Sequence, residues 1–64
     1  MIALTRMNGQ LVVVNAELIK FVEATPDTLL TLVSGDHFLV KEGVDEVVER
    51  AVEFARRIRA FQVV

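Results

Sequence analysis

The chain has 64 residues, no cysteine, one histidine and a formal net charge of −2. That length allows one domain, and without cysteine no disulfide can staple it; a lone histidine leaves a structural zinc site short of ligands. The slightly acidic balance argues against nonspecific nucleic-acid binding, while 53% hydrophobic residues and a mean hydropathy of +0.48 are high for a chain with so much surface per residue.

A core of this size rarely supplies more than ~3–5 kcal/mol by itself. With disulfides and metals set aside, self-association is the remaining staple, and a homo-oligomer is expected. No apolar run approaches the ~20 residues of a membrane helix; the longest, among them Leu11 to Val14, hold four residues. No basic segment followed by an apolar one opens the chain, so no signal peptide is expected and a cytoplasmic location is the default.

The first element predicted is a strand from Ile2 towards Met7, ending at Asn8-Gly9, a strong short hairpin signal because type I′ turns need positive φ at both central residues. Gln10 to Val14 supplies the returning strand, with three consecutive β-branched valines. Asn15 breaks the run. Ala16 to Ala24 fits two templates. Leu18, Ile19, Phe21 and Val22 suit a helix face and also a strand apolar on both faces. Its position between turn signals favours a short turn at Ala16–Leu18 and a strand from about Ile19 to Glu23. Pro26 and Asp27 then punctuate the chain. Leu29 to Val33 and Phe38 to Lys41 flank Ser34-Gly35-Asp36-His37 as a second hairpin. The fold class expected is therefore α+β: a small antiparallel sheet of about five strands in residues 1–42, followed by one helix.

The helix is predicted from Val44 to about Phe61. Val44, Val47, Val48, Ala51, Ala55 and Ile58 follow the i, i+3, i+4 rule, and Val52, Phe54 and Phe61 widen the stripe to about half the circumference. Asp45, Glu46 and Glu49 near its start and Arg56, Arg57 and Arg59 near its end complement the helix macrodipole. One sheet and one helix share a single interface. The surplus apolar residues Val52, Phe54, Ile58 and Phe61 are accordingly candidates for self-association.

Chemistry-bearing residues are sparse. His37 adjoins a turn, and its sequence neighbour Asp36 would point to the opposite face of a strand. Ser34 is explained by the same turn. The three glycines are isolated, so no phosphate-binding loop exists. Glu46, Glu49 and Glu53 share one solvated helical face. No catalytic, metal or cofactor-binding residue is assigned, and no small-molecule substrate is expected. Arg56, Arg57 and Arg59 are accounted for by the helix end, and their functional reading is docking on an acidic partner. Arg6, a charge closing an apolar strand, either blunts a sheet edge or contacts a partner.

In order, Ile2, Leu4-Thr5-Arg6, Asn8-Gly9, Asn15, Leu18-Ile19, Thr25-Pro26-Asp27-Thr28, Thr31-Leu32, Gly35, Val40-Lys41-Glu42 and Val44-Asp45-Glu46-Val47 resemble the FlbD/SwrD family of small flagellar and swarming-motility proteins over nearly the whole length. One departure is Gly43, where the family typically has Ser ahead of the helix; Gly is a tolerable cap. The resemblance implies a non-enzymatic cytoplasmic protein, peripheral to the flagellar motor, that raises motor power for swarming by acting on a motor or stator component. It implies no particular binding surface.

The opening Met1-Ile2-Ala3-Leu4-Thr5-Arg6 also resembles the start of the carbon-storage-regulator RNA-binding proteins, which are similarly short and five-stranded. Those proteins carry a basic motif near the last strand. Here that region is Phe38-Leu39-Val40-Lys41-Glu42, so RNA binding stands as the alternative function, with a steep salt dependence as its signature.

Overall fold

The computed structural model describes the backbone of residues 1–62 and the side-chain surroundings of residues 1–58. Five strands precede one helix: β1 (Ile2–Thr5), β2 (Leu11–Val14), β3 (Ile19–Ala24), β4 (Thr28–Leu32), β5 (His37–Val40) and α1 (Val44–Gln62). The α+β class is as expected from the sequence. So is the short turn ahead of β3: Ala16–Leu18 forms one turn of 3₁₀ helix, capped by the Asn15 side chain, which accepts from the Glu17 N–H at 3.1 Å.

The strands form two antiparallel sheets, β1-β2 and β3-β4-β5. They meet at one point. Arg6 forms an isolated antiparallel bridge with Val40, and the Lys41 N–H donates to the Thr5 carbonyl at 2.8 Å. The spatial sequence is thus β2-β1-β5-β4-β3, with β2 and β3 outermost.

Two hairpins share one turn geometry. Gly9 N–H donates to the Arg6 carbonyl and Gly35 N–H to the Leu32 carbonyl, each at 2.9 Å, while Arg6 and Leu32 donate to the carbonyls of Gln10 and Asp36, each at 2.8 Å. Both loops therefore hold three residues, Met7-Asn8-Gly9 and Val33-Ser34-Gly35, with the glycine in the left-handed region (φ 91° and 94°). This corrects the two-residue type I′ expectation for Asn8-Gly9. Type I′ requires positive φ at Asn8 as well, and no non-glycine among the described residues has it. Three residues with a closing left-handed glycine satisfy the strand twist while keeping Asn8 out of that region, where its Cβ would be strained.

The core is small. Ile2 and Leu4 from β1, Val14 from β2, Leu30 from β4, Val40 from β5 and Val47 from α1 are buried. Val12, Ala16, Ile19, Val22, Leu32, Phe38 and Phe54 pack around them half-buried. Alternation explains the selection: Ile2 and Leu4 face inward while Ala3 faces out, and Phe38 and Val40 face inward while His37 and Leu39 face out. The helix lies against β1 and β3, presenting Val47 and Phe54, which are two turns apart on one face.

Candidate functional site at the strand–helix junction

The densest polar arrangement joins the end of β1 to the start of α1. Glu42 sits in the short connection between β5 and α1. Its Oε1 accepts from the Thr5 backbone N–H and its Oε2 from the Thr5 hydroxyl, both at 2.9 Å. Arg50, two turns into the helix, places Nη1 3.6 Å from Glu42 Oε2 and Nη2 2.7 Å from Glu46 Oε1. Its Nη1 also donates to the Ala3 carbonyl. Two carboxylates therefore bracket one guanidinium, and the group keeps one negative charge.

Burial of Glu42, whose side chain is 11% exposed, by itself pushes its carboxyl up. The Thr5 N–H, the Glu42 N–H, the Thr5 hydroxyl and the Arg50 charge together outweigh that, and the group rests below its ordinary value. A carboxylate that accepts several hydrogen bonds favours its charged form and rigidifies what it touches. The arrangement holds β1 to α1.

Beyond Arg50 the helix carries a ridge of alternating charge, Glu46, Arg50, Glu53 and Arg57, spaced three or four residues apart on one face. Of the arginines singled out from sequence, Arg56 is exposed and lies 3.9 Å from Glu53. Arg57 is also exposed. At about 100° per residue the two point in different directions, so they do not form one patch. The Arg59 side chain lies outside the described residues. Arg57 lines an open cleft of about 350 Å³ with Met1, Ile2, Ala3, Arg50, Glu53 and Phe54. The cleft has an apolar floor from Ile2 and Phe54 and a charged rim.

The candidates for self-association divide. Val52 is 45% exposed, whereas Phe54 is half-buried against the chain's own core. Ile58 is half-buried, and the Phe61 side chain lies outside the described residues. Arg6 stacks over the Phe38 ring, 4.8 Å from its centroid, which gives this charge an intrachain role. His37 Nδ1 lies 3.4 Å from the Gly35 carbonyl. Ser34 donates to Asp36 at 3.0 Å, so serine, aspartate and histidine stand close in sequence without forming a relay.

Sequence reading missed the Thr5–Glu42–Arg50 contact. Glu46 and Arg50 at i, i+4 were a usable signal. Nothing local links Thr5 to Glu42, which are 37 residues apart.

Five short strands, a three-residue glycine turn used twice and a carboxylate–arginine clasp between strand and helix define a small α+β protein built around a structural polar junction. The model of the FlbD family, flagellar and swarming motility proteins, matches residues 1–59, and the chain belongs to that family. No curated protein and no solved structure matches it. No helix among the described residues is long and apolar enough to cross a membrane.

Proposed function

We propose that this flagellar and swarming-motility protein is non-enzymatic and supports motor power by docking, from the cytoplasmic side, on an acidic segment of a motor or stator component. The observation that carries this reading is the cleft between β1 and α1, where Arg57 stands beside the apolar floor of Ile2 and Phe54. A cation next to an apolar floor suits an amphipathic acidic segment, whose carboxylates meet the arginine while its apolar side chains enter the cleft. Arg56, whose side chain is 75% exposed, offers a second cation on a neighbouring face of the helix. Membership of a motility family supports the biological setting.

The test is motor torque in cells whose only copy carries Arg56→Glu and Arg57→Glu. A fall in torque towards that of the deletion, at unchanged protein level, is expected. Wild-type torque from the charge-reversed protein would refute arginine-mediated docking.

A further inference from the structure

The backbone of β1 offers polar groups on both of its edges, and three of the four that Ala3 and Thr5 turn away from β2 are taken. The Ala3 carbonyl accepts from Arg50. The Thr5 N–H donates to Glu42, and the Thr5 carbonyl accepts from Lys41. Ala3 pairs with Val13 and Thr5 with Leu11. In an antiparallel ladder, opposite residues turn their N–H and C=O groups either towards each other or both away. Since Ala3 and Thr5 turn theirs away from β2, Leu11 and Val13 turn theirs away from β1, onto the free edge of β2. Among the described residues β2 pairs with β1 alone, so these two N–H and two C=O groups form an open template.

The two outer strands are defended differently. β3 carries a register shift between Ile19 and Phe21, with Lys20 at the irregularity and Glu23 further on. A bulge and charges are the usual means by which an edge strand discourages pairing. β2 is Leu-Val-Val-Val, in continuous register with β1, with no charge, proline or bulge. Leu11 is 71% and Val13 59% exposed.

We propose that the free edge of β2 is the surface through which the chain pairs with a second copy of itself, strand to strand, about a twofold axis at Val12. A twofold normal to the sheet keeps the same face outward in both copies. Leu11 then stands opposite the partner's Val13, and Val13 opposite the partner's Leu11. This register uses all four open groups on each copy, gives four inter-chain N–H···O bonds and brings the exposed Leu11 and Val13 of both copies into one cluster. The strand is self-complementary because it has no charge to repel its copy. Pairing also takes part of the exposed apolar area of Leu11 and Val13 out of water.

The experiment is sedimentation equilibrium of the whole chain with Val13→Pro, Val13→Lys and Val52→Glu beside the wild type, each checked for fold by circular dichroism. Proline at Val13 removes only an outward N–H, so the β1-β2 ladder survives. Wild type is expected to dimerise at micromolar concentration. Val13→Pro deletes two of the four inter-chain bonds and should weaken the dimer by about tenfold to a hundredfold, and Val13→Lys should do at least as much. Val52→Glu should leave it unchanged. A monomeric wild type, a Val13→Pro protein that is folded and still dimerises as wild type does, or a dimer abolished by Val52→Glu alone would overturn the proposal. Binding of an unrelated extended peptide at β2 by a monomeric wild type would overturn it equally. If Val13→Pro fails to fold, Val13→Lys decides the matter in its place.

Discussion

Glu42 and Thr5, 37 residues apart in sequence, meet through two hydrogen bonds of 2.9 Å in which one carboxylate takes both the backbone and the side-chain donor of a single residue. The junction between β1 and α1 depends on this contact. Charge-assisted hydrogen bonds to a largely buried carboxylate are among the stronger ones in a protein. Glu42→Ala leaves the Thr5 donors and Arg50 without their partner and should cost about 2–3 kcal/mol, and Glu42→Gln about 1–2 kcal/mol. Urea denaturation with an unchanged m-value is the check.

Acid should act on the same contact. The Glu42 carboxyl lies below its ordinary value of 4.5 in the folded chain. Above that value the group is charged in both states, and its stabilising contribution is fully present. As pH falls below it, the unfolded chain takes up the proton first, so stability declines until pH passes the lowered folded value. Unfolding free energy measured from pH 6 downward should therefore begin to fall below about 4.5, and Glu42→Gln should remove this group's part of the decline.

The left-handed glycines make a third expectation. Gly9 and Gly35 stand at φ 91° and 94°, with open space around an added Cβ. The cost of alanine is thus conformational rather than steric and should be about 1–2 kcal/mol at each position. Gly9→Asn should cost less than Gly9→Ala, because asparagine tolerates this region. Thermal unfolding of the variants tests both statements.

Gly43 offers a change of opposite sign. It precedes α1, and its carbonyl accepts from the Val47 N–H at 3.0 Å. It has no side chain to cap the helix, and its φ is not positive. Gly43→Ser adds a capping hydroxyl in open space and should stabilise by a few tenths of a kcal/mol, a rise of about 1–3 °C in Tm for a chain of this size.

Local signals accounted for most of the fold. The glycine turns, the Asn15 break, the strand after Ala16–Leu18 and the amphipathic helix are short-range features that side-chain periodicity and turn chemistry record directly. What they could not record is how the strands meet. The single Arg6–Val40 bridge, which leaves two sheets instead of one, depends on contacts distant in sequence. So does the Glu42 clasp, whose partners look like an ordinary strand threonine and an ordinary pre-helical glutamate. The asymmetry between the β2 and β3 edges is half visible in sequence, as the absence of charge in Leu11–Val14. Its other half, the register shift beside Lys20, is a property of the ladder.

Phe54 and Val52 show why the apolar width of a helix does not by itself locate an interface. Both lie in the wide stripe read from the sequence. Phe54 is half-buried against Ile2 and Val47's cluster, whereas Val52 is 45% exposed. Phe54→Ala should therefore destabilise the chain by about 2 kcal/mol, less than the 3–5 kcal/mol of a fully buried phenylalanine. Any loss of assembly in that variant would follow from loss of fold. Val52→Glu should change stability by less than about 0.5 kcal/mol, so it probes the helix flank alone. Urea unfolding and sedimentation, measured together on the two variants, separate the roles: Phe54→Ala is expected to shift the denaturation midpoint, and Val52→Glu to shift neither observable. A Val52→Glu chain with an unaltered midpoint but a lost dimer would place the contact between copies on α1.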